Sequence, residues 1–518
     1  MSTQRKHIQI YPLNRVEGDL KVRLEIQDGV VTDAWSAGTM YRGFENILRG
    51  RGALDGLVIT PRICGVCSTA HLKAAAKALD MITGVKVPGG ARRIRNGTLM
   101  VEMLQNDIRH GCLLFMSDFA RPIYRNHSLY DEAVRRYPFL TGSVTRQVIH
   151  HTKKILEIVA ILGGQWPHSS FMVPGGVVSL PSRNEIMQCR YLLSSFRSWY
   201  ETEFLGCRLE RWQEIAGRAD LDAWLDENPD HREKEIGFFI RFAREAGLEQ
   251  IGRGHGNFLC YGLLDMPQNT AVKPPNGGPN LLPAGFAGND GKVEPFRPEN
   301  VAEDITHSWF SGYSGARQPM EGLTRPYATG SESEKYSWAK APRYDGKPAE
   351  TGPLAEMIIA GNPLFTDLVN NGGPTAFSRQ LARLVRPALI MPVLEQWLKE
   401  ISLQEKRYFQ SYDRIETGEG FGLIEAPRGA LGHWVKIRDG KIAAYQIITP
   451  SAWNASPRDS GGIRGPWEQA LIGAPIKNPE EPIEADHILR SFDPCLVCTV
   501  HAVRLEKQRK CPKRSITG

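Results

Sequence analysis

The 518-residue sequence contains no run of about 18 consecutive apolar residues, so no membrane span is expected. Its first residues, Met1-Ser2-Thr3-Gln4-Arg5-Lys6, lead into a strand-like run without an apolar signal core. Cysteine is scarce. The nine present are too few and too odd in number for a disulfide framework, and read as metal ligands and buried thiols in a reducing compartment. The expected location is therefore cytoplasmic, or peripheral on the cytoplasmic face of the membrane through partners. Charge of one sign is not in large excess: the formal net charge is +7 and no basic stripe carries interleaved aromatics, so no nucleic acid is expected. Gly252 to Gly262, with His255 and Cys260, is glycine-rich but lacks the strand–turn–helix setting of a phosphate loop. Hydrophobic content of 41% and charged content of 23% are those of a globular chain.

What is present is a pair of short stretches near opposite ends. Arg62-Ile63-Cys64-Gly65-Val66-Cys67-Ser68-Thr69-Ala70-His71 carries one Cys-x-x-Cys, and Asp493-Pro494-Cys495-Leu496-Val497-Cys498-Thr499-Val500-His501 the other. Two intervening residues let both sulfurs of a pair face one ion. Four thiolates suit zinc, an iron–sulfur group or another soft transition-metal centre, and spacing alone favours a closed structural zinc site. The flanks change that reading: each pair has a histidine downstream, and Asp-Pro introduces the second. If all four cysteines meet, the chain's ends must come together in one interwoven unit.

Both stretches resemble the nickel–iron hydrogenase large subunit, whose motifs are R-x-C-G-x-C-x-x-x-H and D-P-C-x-x-C-x-x-H. The resemblance extends along the chain. Arg15-Val16-Glu17-Gly18-Asp19 is similar to R-[IV]-E-G-[HD], Arg42-Gly43-Phe44-Glu45 to R-G-F-E, and Val173-Pro174-Gly175-Gly176-Val177 to V-P-G-G-V. Glu425-Ala426-Pro427-Arg428-Gly429 to His433 is similar to E-A-P-R-G-x-L-x-H, and Pro450 to Asp459 to P-[ST]-x-W-N-x-x-P-R-D. Asp19, in place of the His of many members, resembles the uptake branch.

The resemblance implies a centre of nickel and iron, the iron carrying cyanide and carbon monoxide. Cys64 and Cys495 would be terminal nickel ligands, and Cys67 and Cys498 would bridge the metals. His71 and Pro427 would lie against the cofactor. Glu45, His501 and a backbone carbonyl near Ile447 would bind magnesium. Hydrogen would split heterolytically, its proton passing to the Cys495 sulfur or to Arg428, with Asp118, Asp493 and Pro427 orienting that base and Glu17 carrying protons outward. His168 would stand between the site and the nearest iron–sulfur cluster of a small subunit. Further implied partners are a maturation endopeptidase and nickel-insertion chaperones, with H2 as substrate, and higher oligomers of the heterodimer are open.

Read alone, several of these residues are ordinary. Glu17 suits a solvated turn, Glu45 a surface helix, Asp118 an exposed helix end and Arg428 a surface loop. The fold expected is α+β: a mainly helical core with a small meander over residues 7–37 and a hairpin turned by Asp439-Gly440. Long helices are expected from Ile94 to Phe119, Val144 to Leu162 and Asn184 to Ala216, and from Ala376 to Tyr412 with interruptions near Pro387 and Pro392. Residues 217–235 read as an exposed polar segment, and 266–352 as an irregular covering layer without chemistry. Cys112, Cys189 and Cys207 read as packing residues.

Ala502 to Gly518 holds six Lys or Arg against one Glu and lacks core periodicity. The resemblance makes it a maturation peptide cleaved after His501, leaving 1–501 as the mature unit. The activity so implied is uptake hydrogen oxidation, with electrons leaving through the small subunit. A hydrogen-sensing regulatory subunit is the alternative, and the presence of the tail argues against it. A zinc-stapled structural relative is a third, opposed by the two intact cysteine pairs.

Overall fold

The computed structural model describes residues 5–16, 18, 20–329, 334–401 and 408–495. Glu17, Asp19, Cys498, His501 and residues 502–518 lie outside these described residues. The fold is α+β, as expected.

The chain opens with the antiparallel meander β1 (Arg5–Ile10), β2 (Leu20–Gln27) and β3 (Val30–Gly38). Leu20, Val22, Leu24 and Ile26 alternate into the core, and Asp28 and Gly29 turn the hairpin with left-handed φ of 52° and 81°. A short helix, α1 (Phe44–Leu48), follows Gly43, whose φ of 71° makes the entry turn. Helix α2 (Ser68–Thr83) begins directly after Cys67, and α3 (Gly89–Arg109) returns beside it.

Four helical expectations change. The helix expected to reach Phe119 leaves regular geometry at Arg109 and continues as wide and tight turns through Ala120, where a side chain on Gly111 would come within 2.3 Å of Leu384. The helix from Val144 divides into Ser143–Ile155 and Glu157–Gly163. The one from Asn184 stops regular winding at Trp199 and is closed by Gly206, at φ 79°. Helix α4 (Ala376–Glu400) is not interrupted by its two prolines. Pro392 leaves the Ala388 carbonyl without its helical donor, and Gln213 Nε2 supplies one at 2.9 Å.

Residues 217–235 are not merely an exposed segment. They form two short helices, Arg218–Glu227 and Pro229–Glu233, burying Leu221, Trp224 and Leu225. The region 266–352 is also more ordered than expected, contributing strands to two three-stranded sheets.

The sheet that positions the site is β4 (Gly418–Ala426), β5 (Gly429–Arg438) and β6 (Lys441–Ile448), antiparallel in that order. Its first strand lies directly on α2. A Cβ on Gly418 would meet Ile82 Cγ2 at 2.6 Å, one on Gly420 the Ala78 carbonyl oxygen at 2.6 Å, and one on Gly422 the Ala74 carbonyl oxygen at 1.9 Å. Two strand residues advance ~6.8 Å and four helical residues ~6 Å, so glycines two apart stay opposite helix positions four apart. The bare strand thus seats on the helix backbone itself. Gly422→Ala should wedge the two apart and cost about 2–3 kcal/mol, read as a lowered unfolding midpoint of the purified protein; an unchanged midpoint would show that the strand can move away freely.

Candidate metal centre

Helix α2 carries Cys67 at its head and His71 one turn on, while β4 ends at Ala426, just before Arg428. Their backbone contact therefore brings the first cysteine pair to the Ala426–Gly429 turn. Cys495 arrives from the other end of the chain, after α5 (Ile483–Ser491). The sulfurs of Cys64, Cys67 and Cys495 lie within 4.8 Å of one another, and all three residues are buried. Cys64 and Cys495, 431 positions apart in sequence, have sulfurs 3.6 Å apart. The Cys495 backbone N–H donates to Ser451 Oγ at 2.9 Å. Beside the sulfurs is a small void lined by Cys67, His71, Ala426, Arg428, Ser451 and Cys495 among others.

Arg428 is fixed by Asp493. Its Nε donates to Asp493 Oδ1 at 3.0 Å and to the Asp493 carbonyl at 3.1 Å. Burial disfavours the guanidinium charge, but Asp493 and the three cysteines outweigh it and hold the pKa well above the ordinary value. Burial likewise acts against the Asp493 carboxylate, and Arg428, His110 and Arg383 overcome it, so the group stays ionised. Asn106 Nδ2 donates to Asp493 Oδ2 at 2.7 Å, and Arg383 Nη1 lies 3.1 Å from the same oxygen. The turn itself is tied down by Thr351, whose hydroxyl accepts from the Ala430 N–H at 2.7 Å; Asn454 in turn bonds both backbone groups of Thr351.

Two expected neighbours of Arg428 behave otherwise. Asp118 is not bonded to it. The Asp118 carboxylate accepts from Arg15, from Arg490 Nη1 at 2.5 Å and from Arg121 Nη1 at 3.4 Å, so three guanidinium groups already satisfy it. Through Arg15 it anchors the loop that leads to Glu17. Pro427 lies between two residues that line the void, but its carbonyl is taken by Arg386 Nη2 at 2.6 Å.

Glu45 and Ile447 are brought together as expected, although the contact is through the Ile447 N–H, which donates to Glu45 Oε1 at 2.9 Å. Around them is an oxygen-rich pocket that sequence reasoning missed. Lys340 Nζ lies 3.4 Å from both Glu45 and Glu303 and 2.6 Å from Gln446 Oε1, and the Thr324 hydroxyl bonds Glu45. His168, at φ 66°, spans the first cysteine loop, its Nδ1 3.0 Å from the Pro61 carbonyl and its N–H donating to Ser68 Oγ at 3.3 Å.

Also missed were Asn106, Asp107, Arg383 and Arg386. A signal for them existed: Arg379, Arg383 and Arg386 recur at helical spacing along one face of α4, and Asn106-Asp107 interrupts the apolar pattern of α3. Arg386 bonds Asp107 at 2.8 Å through both Nε and Nη2.

The donor set fits a soft transition metal. Buried sulfurs converge, and Arg428 Nη1 is buried with no hydrogen-bond partner among the described residues. Such an arrangement defines a thiolate metalloenzyme. Over residues 42–123 and 240–501 the chain matches the family described as nickel-dependent hydrogenase, and it belongs to that family, as a large subunit. The periplasmic [NiFeSe] hydrogenase large subunit of Desulfomicrobium baculatum is 33% identical, with 96% of this chain and 95% of that protein covered. The uptake hydrogenase large subunit of Rhodobacter capsulatus is 28% identical over 97% and 96% of the two chains. The solved Ni-Fe-Se hydrogenase from D. vulgaris Hildenborough in the reduced state aligns with TM-score 0.80 and 31% identity, covering 96% of this chain and 100% of that one. Selenium is named for the Desulfomicrobium baculatum and D. vulgaris proteins; this chain has cysteine at all four Cys-x-x-Cys positions. Large subunits of hydrogenases pair with a small subunit. Among the described residues no helix is long and apolar enough to cross a membrane.

Removing the Asp493 carboxylate would strand buried Arg428 and leave buried Arg383 with only Asp107, at 3.5 Å. Asp493→Ala should therefore cost about 3–5 kcal/mol, whereas Asn106→Ala, which deletes one hydrogen bond, should cost about 1 kcal/mol. Unfolding midpoints of the two variants check the order, and equal losses would deny Asp493 its central place.

Proposed function

We propose that this chain is the catalytic subunit of an uptake hydrogenase, oxidising H2 and passing electrons to an iron–sulfur small subunit. The observation that carries the reading is the meeting of both chain ends, Cys64 and Cys67 with Cys495, beneath a fixed and charged Arg428. Cys64 and Cys495 would hold nickel terminally, and Cys67 with Cys498 would bridge it to an iron bearing cyanide and carbon monoxide. When bound, that pair supplies the polarisation that makes H2 acidic. The residues do the rest. The Cys495 sulfur accepts the proton beside Arg428, which Asp493 holds charged, and Glu17, two positions after Arg15 in sequence, moves it outward. Asp118 is a support for Arg15 in this reading and does not orient the base.

Magnesium would sit at Glu45, Ile447 and His501. Glu45 and Glu303 face Lys340, burial pushes the Glu303 carboxyl up to about 7, and the surrounding oxygens suit a hard cation. The small subunit would dock near the first cysteine loop, where Ile47, Leu54 and Val58 are exposed apolar side chains. Residues 1–501 would be the mature unit, produced by an endopeptidase after nickel insertion. A reducing, cytoplasmic location follows from the cysteine usage, even though one relative's name is periplasmic. Fractionation of cells decides that point.

Metal analysis of the purified two-subunit enzyme tests the centre. Wild type should contain nickel and iron and show infrared bands of cyanide and carbonyl ligands, while Cys64→Ser should lose both nickel and hydrogen oxidation. Wild-type nickel in Cys64→Ser would remove that ligand. Intact mass tests the tail: the active chain should end at His501, and a fully active chain still carrying Cys511 would sink the cleavage proposal.

A further inference from the structure

Behind the cysteines runs a buried hydrogen-bonded chain that the proposed reaction leaves unused. His71 Nδ1 lies 3.1 Å from His433 Nε2, and His433 Nδ1 lies 2.9 Å from the Tyr445 hydroxyl. All three residues are buried. Two ring nitrogens 3.1 Å apart cannot both carry a proton, so the link between the rings holds one.

A neutral imidazole has one N–H and one bare nitrogen, so each link has one donor and the whole chain can run in only two senses. In the first, Tyr445 donates to His433 Nδ1, His433 Nε2–H donates to His71 Nδ1, and His71 keeps its proton on Nε2. In the second, every donor reverses, and the hydroxyl proton of Tyr445 must find another acceptor. Among the described residues His433 is the only hydrogen-bond partner of that hydroxyl. A buried donor without a partner costs ~1–3 kcal/mol. The second sense also leaves a bare Nε2 lone pair on His71, which lines the void together with Cys67 and Cys495, where it would meet the lone pairs of their sulfurs. Both terms favour the first sense.

We propose that Tyr445 is a positioning residue: acting through His433, it locks His71 as the Nε2–H tautomer and so keeps one N–H donor aimed into the thiolate pocket. The effect on the metals rests on the centre proposed above; the tautomer does not. A histidine alone in an apolar pocket could place its proton on either nitrogen, and the two residues behind it remove that freedom. An N–H facing the sulfurs draws charge from them and lowers the electron density they pass to iron.

Neutron diffraction from deuterium-exchanged crystals of the two-subunit enzyme reads the chain directly. Deuterium should appear on Nε2 of both His71 and His433 and on the Tyr445 oxygen; deuterium on Nδ1 of either ring overturns the proposal. Tyr445→Phe gives the second readout. The ring still packs against Gly56, so a purely structural role predicts no change. The proposal predicts infrared bands of the diatomic ligands moved to lower wavenumber and activity reduced about tenfold or more. An unshifted spectrum in a metal-replete Tyr445→Phe enzyme rejects it. Absence of such bands from the wild type would reject the metal-centre reading instead, while the neutron map still decides the tautomer.

Discussion

The close seating of β4 on α2 is the constraint on which the rest of the site depends. Gly418 faces the Ile82 side chain, and at Gly420 and Gly422 the distance between the two backbones is set by hard contact with the Ala78 and Ala74 carbonyls. Side-chain packing leaves rotamer choices, whereas backbone against backbone leaves almost none. The head of α2 carries Cys67 and His71, and the strand runs on into Ala426 and Arg428. A sulfur, an imidazole and a guanidinium from parts of the chain more than three hundred residues apart are thereby held at fixed separations.

The second constraint is electrostatic, and it is costly. Arg383, Arg386, Arg428, Asp107 and Asp493 are all buried, and taking them out of water is repaid only because each charge finds a partner. Replacing the set by apolar side chains would make a cheaper core. What the ionic set supplies is placement. Asp493 holds Arg428 from one side while Arg383 and Asn106 hold Asp493 from the other. The positive charge so fixed stands beside three cysteines, and cysteine binds metal as thiolate.

How much of this was legible in the sequence follows a physical division. Cys64, Cys67 and Cys495 were legible because ligand spacing is local and metal chemistry permits few alternatives. The meander and the Asp439-Gly440 hairpin were legible for the same reason: turn residues and alternation act over a few positions. Asp118 shows the limit. A carboxylate at a helix end is recognisable by type, but its burial and its partner are set by tertiary structure, and three arginines claim it in place of Arg428. Pro387 and Pro392 mislead in the opposite direction. Proline weakens an isolated helix, but here a neighbouring Gln213 satisfies the carbonyl that Pro392 leaves free. Lys340 and Glu303 were invisible because they lie in a stretch whose composition reads as covering loop, and only the fold turns them toward Glu45.

One hairpin joins the two candidate metal regions. In the β5–β6 ladder His433 stands opposite Ile447. His433 reaches His71 with one ring nitrogen and Tyr445 with the other, while the Ile447 N–H binds Glu45. Tyr445 and Gln446 are consecutive, so the two-residue period of a strand sends them to opposite faces, one toward the histidines and one toward Lys340. A shift in register by one residue would exchange those faces and dismantle both regions at once. The sulfur site and the oxygen-rich site therefore cannot vary independently: their spacing is a property of a single antiparallel ladder, and a metal held at either one would stabilise the strand pairing that builds the other.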